Sequence, residues 1–424
     1  MISEPPREAY VWIWLPDAHE PVVAGRLEAA GEPITFNYGQ SYLRRDNAIP
    51  LYLPELPLVA GKIPPLSGMS IAGCIADAGP DAWGQRVIMN RMLGAGILEE
   101  DPAALSPLTY LLESGSDRIG ALDFQTSPSE YVSRLAGTAS LEELMQSAER
   151  VEEGIPLSPV LDAALLHASS VGGARPKALL EDGDRSLIAK FSSVTDPYSV
   201  VKGEYAAMDL ACRVGLDAAH VELAQALGKD VLLIERFDRP PTPGRRRAVV
   251  SALTILELDE MLASYASYAD LAHIVRMRFT DARSTLRELF ARITFNILVG
   301  NNDDHARNHA AFWDGTELTL TPAYDICPQP RSGGEATQAM LIGPDGFRMS
   351  QVAGCVEAAS TYLLSASEAR DIIDRQIDVI ESEWSDVCDR AQMTEIERRY
   401  FWKRQFLNPF AIEGYRPRAD SHWG

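Results

Sequence analysis

The chain has 424 residues, 46% of them hydrophobic and 23% charged, with a formal net charge of −21. Such a length predicts two or three domains with ample apolar material for a core. The acidic balance argues against direct, non-specific binding to nucleic acid or anionic membrane, although a basic partner fits it.

The five cysteines are scattered without zinc or redox spacing, which predicts reduced structural thiols. Cys327 is the one that falls near a candidate site. The start, Met1-Ile2-Ser3-Glu4-Pro5-Pro6, lacks the basic and apolar regions of a signal peptide. No apolar run approaches the roughly 18 residues that span a bilayer. A soluble, cytoplasmic protein with no membrane contact is expected.

Residues 1–125 read as a small strand-rich domain. Tyr10–Leu15, Pro21–Leu27, Ile34–Tyr38 and Ile49–Leu53 are strand candidates between Pro, Gly, Asp and Asn, and Arg118–Phe124 is another. Ala82–Leu93 and Leu105–Leu112 read as helices. Residues 126–160 form a helical junction, in which Ser140 and Glu143 fit a capping box for a helix over Ser140–Val151.

Residues 161–239 open with Ser169-Ser170-Val171-Gly172-Gly173-Ala174-Arg175-Pro176-Lys177. Paired glycines let backbone N–H groups approach phosphates closely, although a plain turn uses them too. No Walker A pattern is present. Lys177–Leu180 and Ser186–Phe191 read as strands. Lys190, on the second, is costly among apolar residues unless it meets a charge. In a kinase such a lysine holds nucleotide phosphates and pairs with a helix glutamate; Glu204, opening a helix over Glu204–Val214, is the candidate. An edge-strand lysine reaching water is the alternative. Val231–Ile234 then runs into Glu235-Arg236-Phe237-Asp238-Arg239, the position of a kinase's inter-lobe hinge.

Residues 240–424 begin with a Pro/Gly loop that carries Arg245, Arg246 and Arg247, read as a solvated turn. Helices follow over Leu253–Ser264, Tyr268–Met277, Ser284–Val299, Ser365–Ala391 and Thr394–Phe406. Leu286, Leu289, Phe290, Ile293 and Ile297 keep helical spacing, with Gly300 as the C-cap. Asp303 and Asn308 then stand five positions apart in Asn302-Asp303-Asp304-His305-Ala306-Arg307-Asn308. Strands over Ala310–Trp313 and Glu317–Thr321, turned at Asp314-Gly315, bring Asp325 back beside Asn308. This is the kinase order of a hydroxyl-orienting Asp, then Asn and Asp as oxygen ligands for Mg²⁺. Two other readings stay open: a polar capping loop, and a metal hydrolase site from Asp303, Asp304, His305 and His309.

Glycine loop, strand lysine, hinge, Asp-x-x-x-x-Asn, hairpin and Asp together resemble the HipA family, the Ser/Thr kinase toxins of bacterial toxin–antitoxin modules. The carrying stretches are Ser170–Lys177, Ile234–Arg239, Asn302–Asn308 and Pro322-Ala323-Tyr324-Asp325, with Asp117-Arg118-Ile119-Gly120-Ala121-Leu122 in the opening region. The resemblance implies an α+β, bilobal, protein-kinase-like fold with a β-rich N-terminal subdomain and an all-helical C-terminal lobe. It divides the chain into the subdomain (1–125), the junction (126–160), an N-lobe (161–239) and a C-lobe (240–424). It further implies ATP and Mg²⁺ as cofactors, Asp303 as catalytic, and Asn308 and Asp325 as metal ligands. Val171, Gly172, Gly173, Ala174, Lys190, Glu235, Phe237 and His305 would bind nucleotide. Ser170 would be the autophosphorylated residue that silences the kinase. The implied partners are a protein substrate such as an aminoacyl-tRNA synthetase and a helix-turn-helix antitoxin of HipB type, through which alone the chain would meet DNA. The alternative is a catalytically silent scaffold in an antitoxin–operator complex. Arg175-Pro176 and the region Ser251–Ser267 depart from the usual pattern, so the substrate does not follow from the resemblance.

Overall fold

A computed structural model describes residues 4–29, 31, 33–93, 105–134, 139–155, 157, 175–193, 196, 198–331, 334–343 and 345–417. The chain forms two compact units, residues 1–195, 224–250 and 312–316 in the first and 196–223, 251–311 and 317–424 in the second.

Two antiparallel sheets lie largely in the first unit. One contains β1 (Glu8–Ile13), β2 (Val22–Glu28), β3 (Thr35–Tyr38), β4 (Lys62–Ile63) and β5 (Leu122–Gln125), in the order β4-β3-β2-β1-β5. The predicted strand over Ile49–Leu53 is not there. The Tyr38 hydroxyl donates to Leu56 O and accepts from Leu51 N, while Tyr42 donates to Ile49 O. Two buried tyrosines thus satisfy a Pro-punctuated backbone that has no neighbouring strand to pair with.

The second sheet contains β6 (Lys177–Asp182), β7 (Arg185–Phe191), β8 (Val221–Ala226) and β9 (Lys229–Glu235), in the order β6-β7-β9-β8. Its first two strands are longer than their apolar runs suggest. Gly183, at φ 63°, makes a two-residue turn possible, and pairing starts at Asp182 opposite Arg185. Two helices, α1 (Ala82–Leu93) and α3 (Leu141–Glu152), contribute to the core of this sheet; α2 (Pro107–Glu113) lies between them in sequence. Trp83, Val87, Leu144, Met145, Ala148 and Val151 pack with Ala178, Ala189, Phe191 and Val231. Residues from either side of 125 and of 160 therefore share one core. The Ser140–Glu143 capping box is formed.

The second unit is mainly helical: α4 (Val200–Val214), α5 (Tyr268–Arg278), α6 (Ala282–Val299), α7 (Ala366–Arg390) and α8 (Glu395–Phe401). Its central helix is α6, capped at its start by the Asp281 carboxylate on Ser284 N. From Ile293 to Val299 every residue is buried, as a helix surrounded by other helices requires. Gln376 of α7 is hydrogen-bonded to Thr294 and to Ala291 O of α6. The helix predicted over Leu253–Ser264 is broken. Ser251 caps a single turn (Ala252–Ile255), Glu257 turns left-handed at φ 57°, and a 3₁₀ segment (Glu260–Tyr265) follows a second cap at Asp259. Strands β10 (Ala310–Trp313) and β11 (Leu318–Leu320) form the expected hairpin. Among the described residues no helix is long and apolar enough to cross a membrane.

Candidate active site

The candidate site is built at the C-terminus of α6. Gly300 ends the helix at φ 76°, its N–H bonded back to Asn296 and Ile297. A side chain there would be strained and would stand 2.8 Å from Gln405 O. The loop that follows is held from beneath. Asn301 donates from its amide to Asn296 Oδ1 (3.0 Å), and Gln338 donates to Asn301 O (3.0 Å).

Asp304 is the buried anchor, 2% exposed. Its carboxylate accepts from the hydroxyl of Tyr268, the first residue of α5, and from Asn296 Nδ2 (2.7 Å); His309 Nε2 lies 3.0 Å away. Burial and the adjacent Asp304 push the Tyr268 hydroxyl well above its ordinary pKa, which keeps it a donor. With Asp304 turned inward, the preceding Asp303 points out and is exposed.

Desolvation raises the Asp303 carboxyl above its usual range; His305 opposes this, while the negative charges of Asp325 and Asp304 add to it. A 3₁₀ turn, Ala306–Asn308, then returns Asn308, whose Nδ2 donates to Asp303 O at 3.4 Å. Asp325 adopts φ 59°, unusual for a residue with a side chain. The segment before it is fixed by Ala323 N to Asp217 O (2.7 Å) and by the Tyr324 hydroxyl to Arg307 O (2.6 Å). Asn301 Nδ2 reaches Asp325 O at 3.5 Å. Asp303, His305, Asn308 and Asp325 are thus brought together.

Beside them lies a cleft of about 520 Å³, lined by Asn302, Asp303, Gln329, Thr337, Gln338 and Arg348 among others. The cleft residues after Asp325, together with Tyr268 and Asn296, were not legible as site residues, because their roles depend on which turns return to the loop. For the hydrolase reading, His309 faces Asp304 within the core. Among the described residues no three His, Cys, Asp or Glu side chains are grouped to hold a metal.

The other candidates lie elsewhere in the chain. Lys190 is half-buried on β7, opposite Lys177 of β6 and Leu232 of β9. Glu204 is buried on α4, in the second unit, whereas Lys190 belongs to the first. Glu235 ends β9 and is exposed; the Phe237 ring meets Phe312 edge-on at 5.8 Å. Ser170, Val171, Gly172, Gly173 and Ala174 lie outside the described residues.

Comparison with known families decides the relationship. A model of the HipA-like C-terminal domain matches residues 169–384, half of the chain, and a HipA N-terminal domain model matches residues 13–125. The chain belongs to the HipA family. A Sinorhizobium fredii protein named "Putative kinase Y4mE" is 26% identical over 323 residues, 69% of this chain and 71% of its own. The "Serine/threonine-protein kinase toxin HipA" of Shewanella oneidensis is 22% identical over 183 residues, 37% of this chain and 42% of that one. The fold is similar to the HipA chain of a Shewanella oneidensis complex of HipA, HipB and operator DNA, with a TM-score of 0.67 and 19% identity. That match covers 93% of this chain and 95% of the other.

Two of the HipA stretches outside the candidate site, Asp117–Leu122 and Ile234–Arg239, meet inside the first unit. Arg236 and Arg239 both pair with Asp117 (2.9 and 2.7 Å) and with Asp238 (2.9 and 2.7 Å). Asp238 also accepts from Gly120 N. Burial alone would raise the Asp117 and Asp238 carboxyls, but the two guanidinium groups hold both below the usual range. This part of the family pattern is a buried clamp between two distant segments.

Proposed function

We propose that the chain is an ATP- and Mg²⁺-dependent serine/threonine protein kinase of toxin type. The observation that carries this reading is the convergence of Asp303, Asn308 and Asp325 at the end of α6. Asp303 presents its carboxylate outward, where it can orient an acceptor hydroxyl and take its proton. Asn308 uses its amide nitrogen on Asp303 O, which leaves its carbonyl oxygen free to hold Mg²⁺, as the Asp325 carboxylate would. Mg-ATP would supply the phosphoryl group and the charge that neutralises it in transfer. Lys190, Glu235, Phe237, His305 and the stretch Val171–Ala174 would hold the nucleotide, with Glu204 as the partner of Lys190. The cleft beside Asp303 would take the acceptor segment of a protein of translation, such as an aminoacyl-tRNA synthetase.

Phosphorylation of Ser170 would place nearly two negative charges where the phosphates of ATP bind, which silences the kinase. The likeness to a HipA chain solved with HipB and operator DNA supports a helix-turn-helix antitoxin as partner and contact with DNA through it. Calorimetry with Mg-ATP tests the reading. Wild type is expected to bind, and Asp325→Asn to lose the Mg²⁺-dependent part of the affinity, roughly tenfold or more. No nucleotide binding by wild type would leave a silent scaffold.

A further inference from the structure

Four arginines are buried among the described residues: Arg118, Arg236, Arg292 and Arg331, at 0%, 4%, 2% and 5% exposure. Three have a carboxylate. Arg118 lies 2.8 Å from Asp123, Arg236 2.9 Å from Asp117, and Arg292 2.8 Å from Glu288. Arg331 is the exception, since none of its three guanidinium nitrogens has a hydrogen-bond partner. A buried charge without a counter-charge is among the most expensive features a fold can carry.

A second guanidinium meets the backbone of Arg331. Its own carbonyl accepts from the guanidinium of Arg404 at 3.3 and 3.4 Å. The next residue, Gln405, is fully buried and neither atom of its amide is bonded. Gln405 packs its backbone on Gly300, and Gln329 N donates to Gly300 O at 3.0 Å. The segments that carry the two unsatisfied side chains are therefore both fastened to the residue that opens the catalytic loop. Pro330, immediately before Arg331, lines the cleft beside Asp303.

We propose that Arg331 forms an oxyanion-binding site behind the catalytic loop, suited to a phosphate group. A guanidinium offers its N–H donors as a fork that matches phosphate oxygens, and the buried setting strengthens each bond. Burial lowers the Arg331 pKa with no negative group to oppose it, which a bound anion would reverse. Free phosphate and a phosphoryl group carried by this chain share the required chemistry. The site needs no nucleotide, so its fate is separate from that of the kinase reading.

The test is the melting temperature of the full chain in chloride buffer, titrated with inorganic phosphate, before and after phosphatase treatment. Wild type after treatment is expected to gain about 2 °C or more at saturation; Arg331→Met should not respond, and Arg331→Lys should respond weakly. If the untreated protein already has the raised melting temperature and does not respond, the source is a phosphoryl group on the chain. Equal responses before and after treatment identify free phosphate. In chloride alone, Arg331→Met should melt no lower than phosphatase-treated wild type, because it removes an unpaired buried charge. An equal phosphate response in wild type and Arg331→Met would overturn the proposal, and so would a marked loss of stability in Arg331→Met without phosphate.

Discussion

Asp303 and Asp304 are chemically identical neighbours that the structure sends to opposite environments. Asp303→Asn keeps the shape of an exposed side chain while removing the proton acceptor. It should leave unfolding unchanged and lower phosphoryl transfer by about 10²–10⁴-fold, a difference that paired urea melts and transfer assays would read. Asp304→Ala should do the reverse at first order. It strands the buried Tyr268 hydroxyl and Asn296 amide, so stability should fall by about 2–4 kcal/mol in urea unfolding, and activity only as the loop loosens. The raised Asp303 carboxyl has its own signature. A carboxylate pushed above its ordinary 3.8 must be deprotonated to act as a base, so the acid limb of the rate profile should lie higher than an unperturbed aspartate would place it. Because Asp325 contributes to that rise, Asp325→Asn should move the Asp303 titration down, as carboxyl NMR would record. A titration unmoved by Asp325→Asn would separate the two side chains. The sequence made Asp303, Asn308 and Asp325 legible because their spacing is local. It left Asp304 open, because its hydrogen-bond partners Tyr268 and Asn296 come from α5 and α6.

Helix α6 was readable because its apolar positions repeat at three and four residues from Leu286 to Ile297 and a glycine closes it. Its start was placed two residues late, since Asp281 acts as a cap through a side-chain bond that periodicity does not register. Strand β8 went unseen, because Val221-Glu222-Leu223-Ala224-Gln225-Ala226 contains mostly good helix formers and becomes a strand through pairing in the sheet. The opposite error befell Leu253–Ser264, where caps at Ser251 and Asp259 and the left-handed Glu257 outweigh helical composition. Gly300 is the element-scale test. Gly300→Ala must adopt a positive φ and meet Gln405 O, so it should cost about 1–3 kcal/mol in urea unfolding and weaken transfer along with stability. Full stability in that variant would show that the helix end and the loop can shift without cost.

For the whole molecule, the order of motifs was the most informative signal, since one chain had to carry all of them in sequence. The core shared by Trp83, Val87, α3 and the β6–β9 sheet was hidden, because no local pattern tells which domain a helix will pack against. The Asp117–Arg236–Asp238–Arg239 clamp has a consequence for acid stability. Its carboxyls are depressed in the folded state, so their stabilisation is complete above the unfolded value near 4 and is lost as the pH falls through the lower folded values. Asp117→Asn should cost about 3–5 kcal/mol, because it leaves two arginines short of charge in a buried place. Its thermal melts should also depend less on acidification below pH 4 than those of wild type. The claim that joins these scales is that the loop at the end of α6 transfers a phosphoryl group. Peptide-resolved mass spectrometry of phosphatase-treated protein after incubation with Mg-ATP tests it most directly. Phosphate on Ser170 in wild type and none in Asp303→Asn is the predicted result. The same phosphopeptide at the same yield in Asp303→Asn would contradict it.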